Sequence, residues 1–231
     1  MLRTRHFALP AAIAAGLFLC GLGAPFAGAV PAPPAGTVGT AILVKKDVRA
    51  TPPGAAARPV KTSDKIVLQT RIDTGRASSF AMTFPPGGVI NVGAESALIF
   101  NQREIDAATG RTNSSISVLA GRVRLGISKR QQNIEVGTPH AVAGVKGTVV
   151  RFVVHPIAGT FVAVDEGLVG VRSRAGGDEV DVAAGQWVVV PPGGQPTKPA
   201  RLDKRGLPFE DSPLLDQFDL QRDSPKPPPR Q

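Results

Sequence analysis

From about residue 38 to residue 195 the chain is a succession of short apolar runs, each closed by Gly, Pro, Asn or Asp. "DKIVLQTRIDT", "SSFAMTF", "GGVINVG", "SALIFNQREI" and "QNIEVGT" are typical, and all draw heavily on Val, Ile, Phe and Thr. Turn residues recur roughly every eight to twelve positions, the spacing of an all-β domain. A helix needs an apolar stripe at a period of 3.6, and no window of about twelve residues in this region holds one. The expected fold is therefore all-β: a single compact sandwich-like or rolled domain of short antiparallel strands, with a short β-solenoid as the alternative.

Alternation shows which faces are buried. In "SSISVLAG", Ile116 and Val118 share a face. In "GRVRLGI", Val123, Leu125 and Ile127 point one way, and Arg122, Arg124 and Gly126 the other. Such strands bury one face and wet the other. Turns are expected at "FPPGGVI" (84–90), "DAATGRT" (106–112), "DEGLV" (165–169) and "AGGDE" (175–179), where Gly accepts positive φ.

The ends have a different character. "MLRTRHFALPAAIAAGLFLCGLGAPFAGA" puts Arg3 and Arg5 before an uncharged apolar run that closes on Ala27-Gly28-Ala29. This is the layout of a secretory signal peptide, with cleavage expected after Ala29. The run is long enough to remain as an anchor, although Pro10, Pro25 and several glycines weaken it as a span. Cys20 follows Leu19, not a small residue, so lipidation is not expected, and the mature chain would carry no thiol. The expected organisation is a signal peptide (1–29), a flexible lead-in (30–37), the β domain (38–195) and a Pro-rich, largely disordered tail (196–231). Within the tail, "SPLLDQFDLQ" has Ser212 as an N-cap and Leu214, Leu215 and Phe218 at helical spacing. It reads either as a nascent helix or as a docking segment. The expected location is bacterial periplasm or exterior, with no membrane span in the mature chain.

The stretch "AVAGVKGTVVRFVV" (141–154) raises the question of a phosphate cradle. A P-loop needs G-x-x-x-x-G-K-[ST] ahead of a helix. Here Lys146 precedes Gly147 and Thr148, and strand formers follow, so no helix dipole is aimed at a phosphate. The glycines read instead as backbone permissions, Gly144 for a bend and Gly147 for close passage. Lys146 or Arg151 is expected to pair with an acid such as Asp165 or Glu166. No G-x-S-x-G elbow occurs. His140 and His155 flank prolines at strand ends, where exposed loop histidines sit, and no Cys or carboxylate stands at metal-ligand spacing. Asp165-Glu166 and Asp178-Glu179 lie in turns. No catalytic residue, cofactor or metal ligand is assigned. Gly144, Lys146, Gly147, Thr148 and Arg151 form a candidate structural or binding motif.

Several of these pieces, in this order, resemble the FecR-type domain, a bacterial all-β family. "GGVINVGAESALIF" (87–100) looks like its glycine turn between apolar strands. "ISVLAGRVRLGI" (116–127) is similar to its strand–small–Gly–strand hairpin. "VGTPHAVAGVKGTVVRFVV" (136–154) resembles its Thr-Pro stretch followed by a basic residue, Gly, Thr and a strand. "VAVDEGLVGV" and "VDVAAGQWVVVPPGG" resemble its closing hairpins. Position 146 is Lys where the family tends to carry Arg, which keeps the charge and loses the bidentate fork. The iron-siderophore members are inner-membrane anti-sigma regulators with a cytoplasmic helical region. Only six residues precede the apolar run here. The resemblance therefore implies an exported module that binds or senses something, not anti-sigma activity.

Charge narrows the partners. The net charge is +9, and falls to +7 without Arg3 and Arg5. Nucleic-acid binding needs a focused basic stripe with stacking aromatics, whereas Tyr is absent and there is a single Trp. The expected function is a non-enzymatic exported binding or sensing module in envelope signalling or protein interaction, with an envelope or membrane-associated protein as partner. The alternative is a structural envelope-associated protein that binds anionic surface polymer.

Overall fold

A computed structural model of the chain describes residues 36–85, 87–105, 112–128 and 132–202. Among them every regular element is a strand, as the spacing of turn residues requires. The segment expected to be a signal peptide and the "SPLLDQFDLQ" island lie outside the described residues.

Two layers share one long strand. Sheet I contains β1 (Thr37–Lys45), β4 (Lys65–Val67), β6 (Ser79–Phe84), β7 (Gly88–Val92), the second half of β9 (Thr112–Ile127), β12 (Val149–His155), β13 (Gly159–Glu166), β16 (Gln186–Val190) and β17 (Ala200–Arg201). Sheet II contains β2 (Val48–Thr51), β3 (Arg58–Pro59), β5 (Arg71–Thr74), β8 (Ala97–Ile105), the first half of β9, β10 (Gln132–Gly137), β11 (Ala141–Val145), β14 (Leu168–Ser173) and β15 (Val180–Ala183). Because β9 belongs to both, the pairings form one open seventeen-stranded network, not a closed barrel. The β9–β10 pair is parallel, so the network is mixed rather than uniformly antiparallel as expected.

Apart from the small β3 and β4 at one end, each sheet grows in chain order. Sheet I runs β1-β6-β7-β9-β12-β13-β16-β17, and sheet II runs β2-β5-β8-β9-β10-β11-β14-β15. The chain thus zigzags between layers as it advances. Its packing is sandwich-like, and its connectivity is that of the solenoid alternative.

The expected alternation decides what lies between the layers. Val123, Leu125 and Ile127 of β9 join Phe152, Val162, Val164 and Val188 of sheet I and Leu98, Ile116, Ile134, Val145 and Val171 of sheet II in one core. Phe84 of sheet I meets Phe100 of sheet II with ring centroids 6.3 Å apart at 59°, an edge-on aromatic contact across the layers.

Residues 116–127 do not form a hairpin. They are one strand, and Gly121, at φ +85°, turns it from sheet II into sheet I without reversing it. At the kink Arg122 N–H leaves the strand ladder and donates to Ser96 Oγ at 2.8 Å. A glycine between two alternating halves signals a turn equally well whether the chain reverses or changes layer. Strand pairing also continues past the expected boundary at 195. Ala200 pairs with Trp187, and Leu202 N–H donates to the Gly185 carbonyl at 2.8 Å.

Candidate functional site

The outward faces of β9, β12, β13 and β16 carry residues that the core does not use. Where Phe152, Val162 and Val188 point inward, their neighbours Arg151, Ala163 and Trp187 must point outward. Strand register places these in a row, Arg124–Arg151–Ala163–Trp187. The adjacent row is Arg122–Val153–Phe161–Val189.

Arg124 directly opposes Arg151, and like charges in that position repel. Asp165, outward on β13, sits between them. Its Oδ1 accepts from Arg151 Nη2 at 2.6 Å, and its Oδ2 lies 3.6 Å from Arg124 Nε. Arg151 and Asp165 are the less exposed partners, at 28% and 26% against 44% for Arg124. One carboxylate thus holds two guanidiniums, with Arg122 two residues along β9 on the same face. Among the described residues the balance of this patch is positive. Removing the carboxylate leaves the two arginines opposed, so Asp165→Ala is expected to cost about 1–2 kcal/mol in chemical denaturation.

Beside the arginines lies an aromatic pair. Trp187 and Phe161 are 5.3 Å apart at 31°. Trp187 is half-buried, and its Nε1 donates to the Arg201 carbonyl at 3.3 Å, which fixes the indole against the last strand. Val153 and Val189 stand opposite Phe161 on the two neighbouring strands. The patch can hold an apolar group against the indole and a carboxylate or phosphate against the guanidiniums.

Of the five motif residues, only Arg151 belongs to this face. Gly144 lies within β11, opposite Gly170 and Glu135, and not at a bend. A Cβ there would meet nothing within 4 Å. Gly147 makes the crossover from sheet II to sheet I, at φ +61°. Thr148 is buried after it, and its carbonyl accepts Ile127 N–H at 2.9 Å. Lys146 is exposed and makes no ion pair with a described residue. Gly144→Ala and Lys146→Met should therefore each change stability by less than about 0.5 kcal/mol. Gly147→Ala should cost about 1–2 kcal/mol through its left-handed backbone. Urea unfolding midpoints of the three variants check this contrast.

His140 corrects the expectation of two exposed loop histidines. It is buried, with Nε2 donating to the Pro156 carbonyl at 3.1 Å and Nδ1 3.2 Å from Thr160 Oγ1. Thr160 Oγ1 is in turn 2.7 Å from Thr138 Oγ1. The cluster ties the β10–β11 turn of sheet II to β13 of sheet I, a tertiary contact that a Pro-His dipeptide does not announce. His155 is exposed, and its Nδ1 accepts Ala158 N–H at 3.0 Å. Among the described residues no three His, Cys, Asp or Glu side chains gather as a metal site would need.

Trp187 and Arg124 were absent from the sequence motif. "GRVRLGI" did place Arg122 and Arg124 on one face, but nothing local fixes which strand lies opposite.

Comparison with known proteins bears on the central part of the chain. Two crystal structures of a candidate anti-sigma factor from Parabacteroides distasonis, at 1.65 Å and 2.50 Å, are similar at 15% identity with TM-scores of 0.48 and 0.49. The matches cover 57% and 58% of this chain and 59% and 60% of those chains, so this chain spans less than two thirds of their length. No curated protein matches. The family model described as FecR protein matches residues 70–170, which include Arg122, Arg124, Arg151, Phe161 and Asp165. The match covers somewhat under half of the chain, whose residues 70–170 are thus similar to the FecR family, and Trp187 lies beyond the matched end.

Proposed function

We propose that this chain is a non-enzymatic, exported binding module of envelope signalling, and that the outer face of sheet I is its docking surface. The observation that carries this reading is the Trp187–Phe161 pair set beside Arg122, Arg124 and Arg151, with Asp165 the carboxylate that the described residues place against Arg124 and Arg151. An aromatic anchor next to arginines is the composition of binding hot spots. The partner chemistry it fits is an apolar protein segment with acidic residues. The N-terminal sequence supports export, with the mature chain beginning at Val30.

The chain isolated from its native envelope should begin at Val30 by N-terminal sequencing. A protein cross-linked to the wild-type chain should be lost in both Trp187→Ala and Arg124→Ala, with folding verified by circular dichroism. Undiminished capture by both variants sinks the reading.

The net charge of +9 and the same arginines favour a second reading, binding of anionic surface polymer. That binding would be released by moderate salt, because exposed ionic contacts are screened within about 10 Å at 0.1 M. It would also be indifferent to Trp187→Ala.

A further inference from the structure

All seventeen strands belong to sheet I or sheet II, and the two sheets pack through their inner faces. Among the described residues no strand therefore lies over the outer face of sheet I. Yet Phe161 is 3% exposed, Ala163 0%, Arg122 4% and Ala81 3%. None of the four belongs to the core between the layers. That part of the face is covered, while Arg124, Arg151, Val153, Trp187 and Val189 beside it are partly or largely exposed.

The chain itself supplies a matching cover. Residues 208–220 read "PFEDSPLLDQFDL". The segment has four acids, Glu210, Asp211, Asp216 and Asp219, and no Lys or Arg. Leu214, Leu215 and Phe218 stand between them, with Phe209 before and Leu220 after. Residues 1–35 contain no acid at all. The charge of the face thus selects the C-terminal segment.

Geometry agrees. The last described strand pairs Ala200 with Trp187, at the edge of this same face. About seven residues separate Leu202 from Phe209, and extended they reach about 23 Å. From β16 to β9 is three strand spacings, about 14 Å. The chain leaves where it is needed and is long enough to return.

We propose that residues 208–220 dock across the outer face of sheet I, their apolar side chains against Trp187 and Phe161 and their carboxylates toward the arginines. This rests on the reading of that face as a docking surface, and makes the segment an internal occupant that a partner must displace. A short tether makes such docking effectively intramolecular at millimolar local concentration.

Trp187 is the only Trp and Tyr is absent, so intrinsic fluorescence of the full chain reports this face alone. In the wild-type chain Trp187 should emit to the blue and resist acrylamide. The double variants Leu215→Ser/Phe218→Ser and Asp216→Lys/Asp219→Lys change none of the described residues. Each should shift emission to the red and raise the quenching constant severalfold, at every protein concentration. The inference is overturned if Trp187 is open to acrylamide in the wild type. It is also overturned if both variants leave it shielded, because residues 1–35 or a second copy then covers the face. Dependence on protein concentration identifies the second copy. Should both variants leave fluorescence unchanged while Trp187→Ala still abolishes partner capture, internal docking fails and the docking-surface reading stands.

Discussion

Replacing Gly121 with Val should destabilise the domain by about 3–5 kcal/mol, a large fraction of what a domain of this size has. Two effects add. Gly121 sits at φ +85°, where a β-branched residue is strained. A Cβ there would also overlap Ser96, whose Cα lies 2.5 Å from its position. Ser96 cannot retreat, since its Oγ holds Arg122 N–H at 2.8 Å and its carbonyl accepts Thr74 N–H at 2.9 Å. Gly126 is the control. It lies on the same strand, and a Cβ there would meet only the Val89 carbonyl at 3.9 Å. Gly126→Ala should change stability by less than about 0.5 kcal/mol. Guanidinium unfolding followed by circular dichroism measures both. Equal midpoints for Gly121→Val and wild type would show that β9 does not depend on this kink to join the layers.

Phe152→Ala should cost about 3–5 kcal/mol, the usual range for truncating a buried aromatic ring. Phe152 is fully buried on β12, between β9 and β13, the central strands of sheet I. Its neighbour Arg151 faces out from the same strand, so a loosened β12 also loosens the Arg151–Asp165 contact. The variant should therefore lose partner capture at temperatures where wild type retains it, and Phe152→Leu should recover much of both losses. A loss below about 1 kcal/mol would mean that the two layers are not packed through this ring.

The elements of the fold were readable in advance because they follow from local chemistry. Gly, Pro, Asn and Asp ended the strands, and alternation put Val123, Leu125 and Ile127 inside and Arg122 and Arg124 outside. The kink at Gly121 was read as a reversal, because a positive φ permits either outcome and only Ser96, distant in sequence, decides between them. Gly144 looked like a bend and is a strand interior. His140 reads as a loop residue and is buried, since Thr160 of β13 and Pro156 of the turn before it come to it from the other sheet.

The site shows the same division. The sequence calls for Lys146 or Arg151 to pair with an acid such as Asp165 or Glu166, because a charge set in an apolar strand needs an opposite charge nearby, and the structure pairs Arg151 with Asp165 and leaves Lys146 exposed. Arg124 opposite Arg151, and Trp187 stacked on Phe161, were not. Side-chain direction along a strand has a period of two and is written in the sequence, so the sequence alone determined the all-β class, the inward and outward faces and the run of four acids without Lys or Arg at 208–220. Which strand lies beside which depends on loop closure between residues tens of positions apart, and that carries no local signature. The tertiary structure alone decided that three arginines, one aspartate and the only tryptophan share a single face.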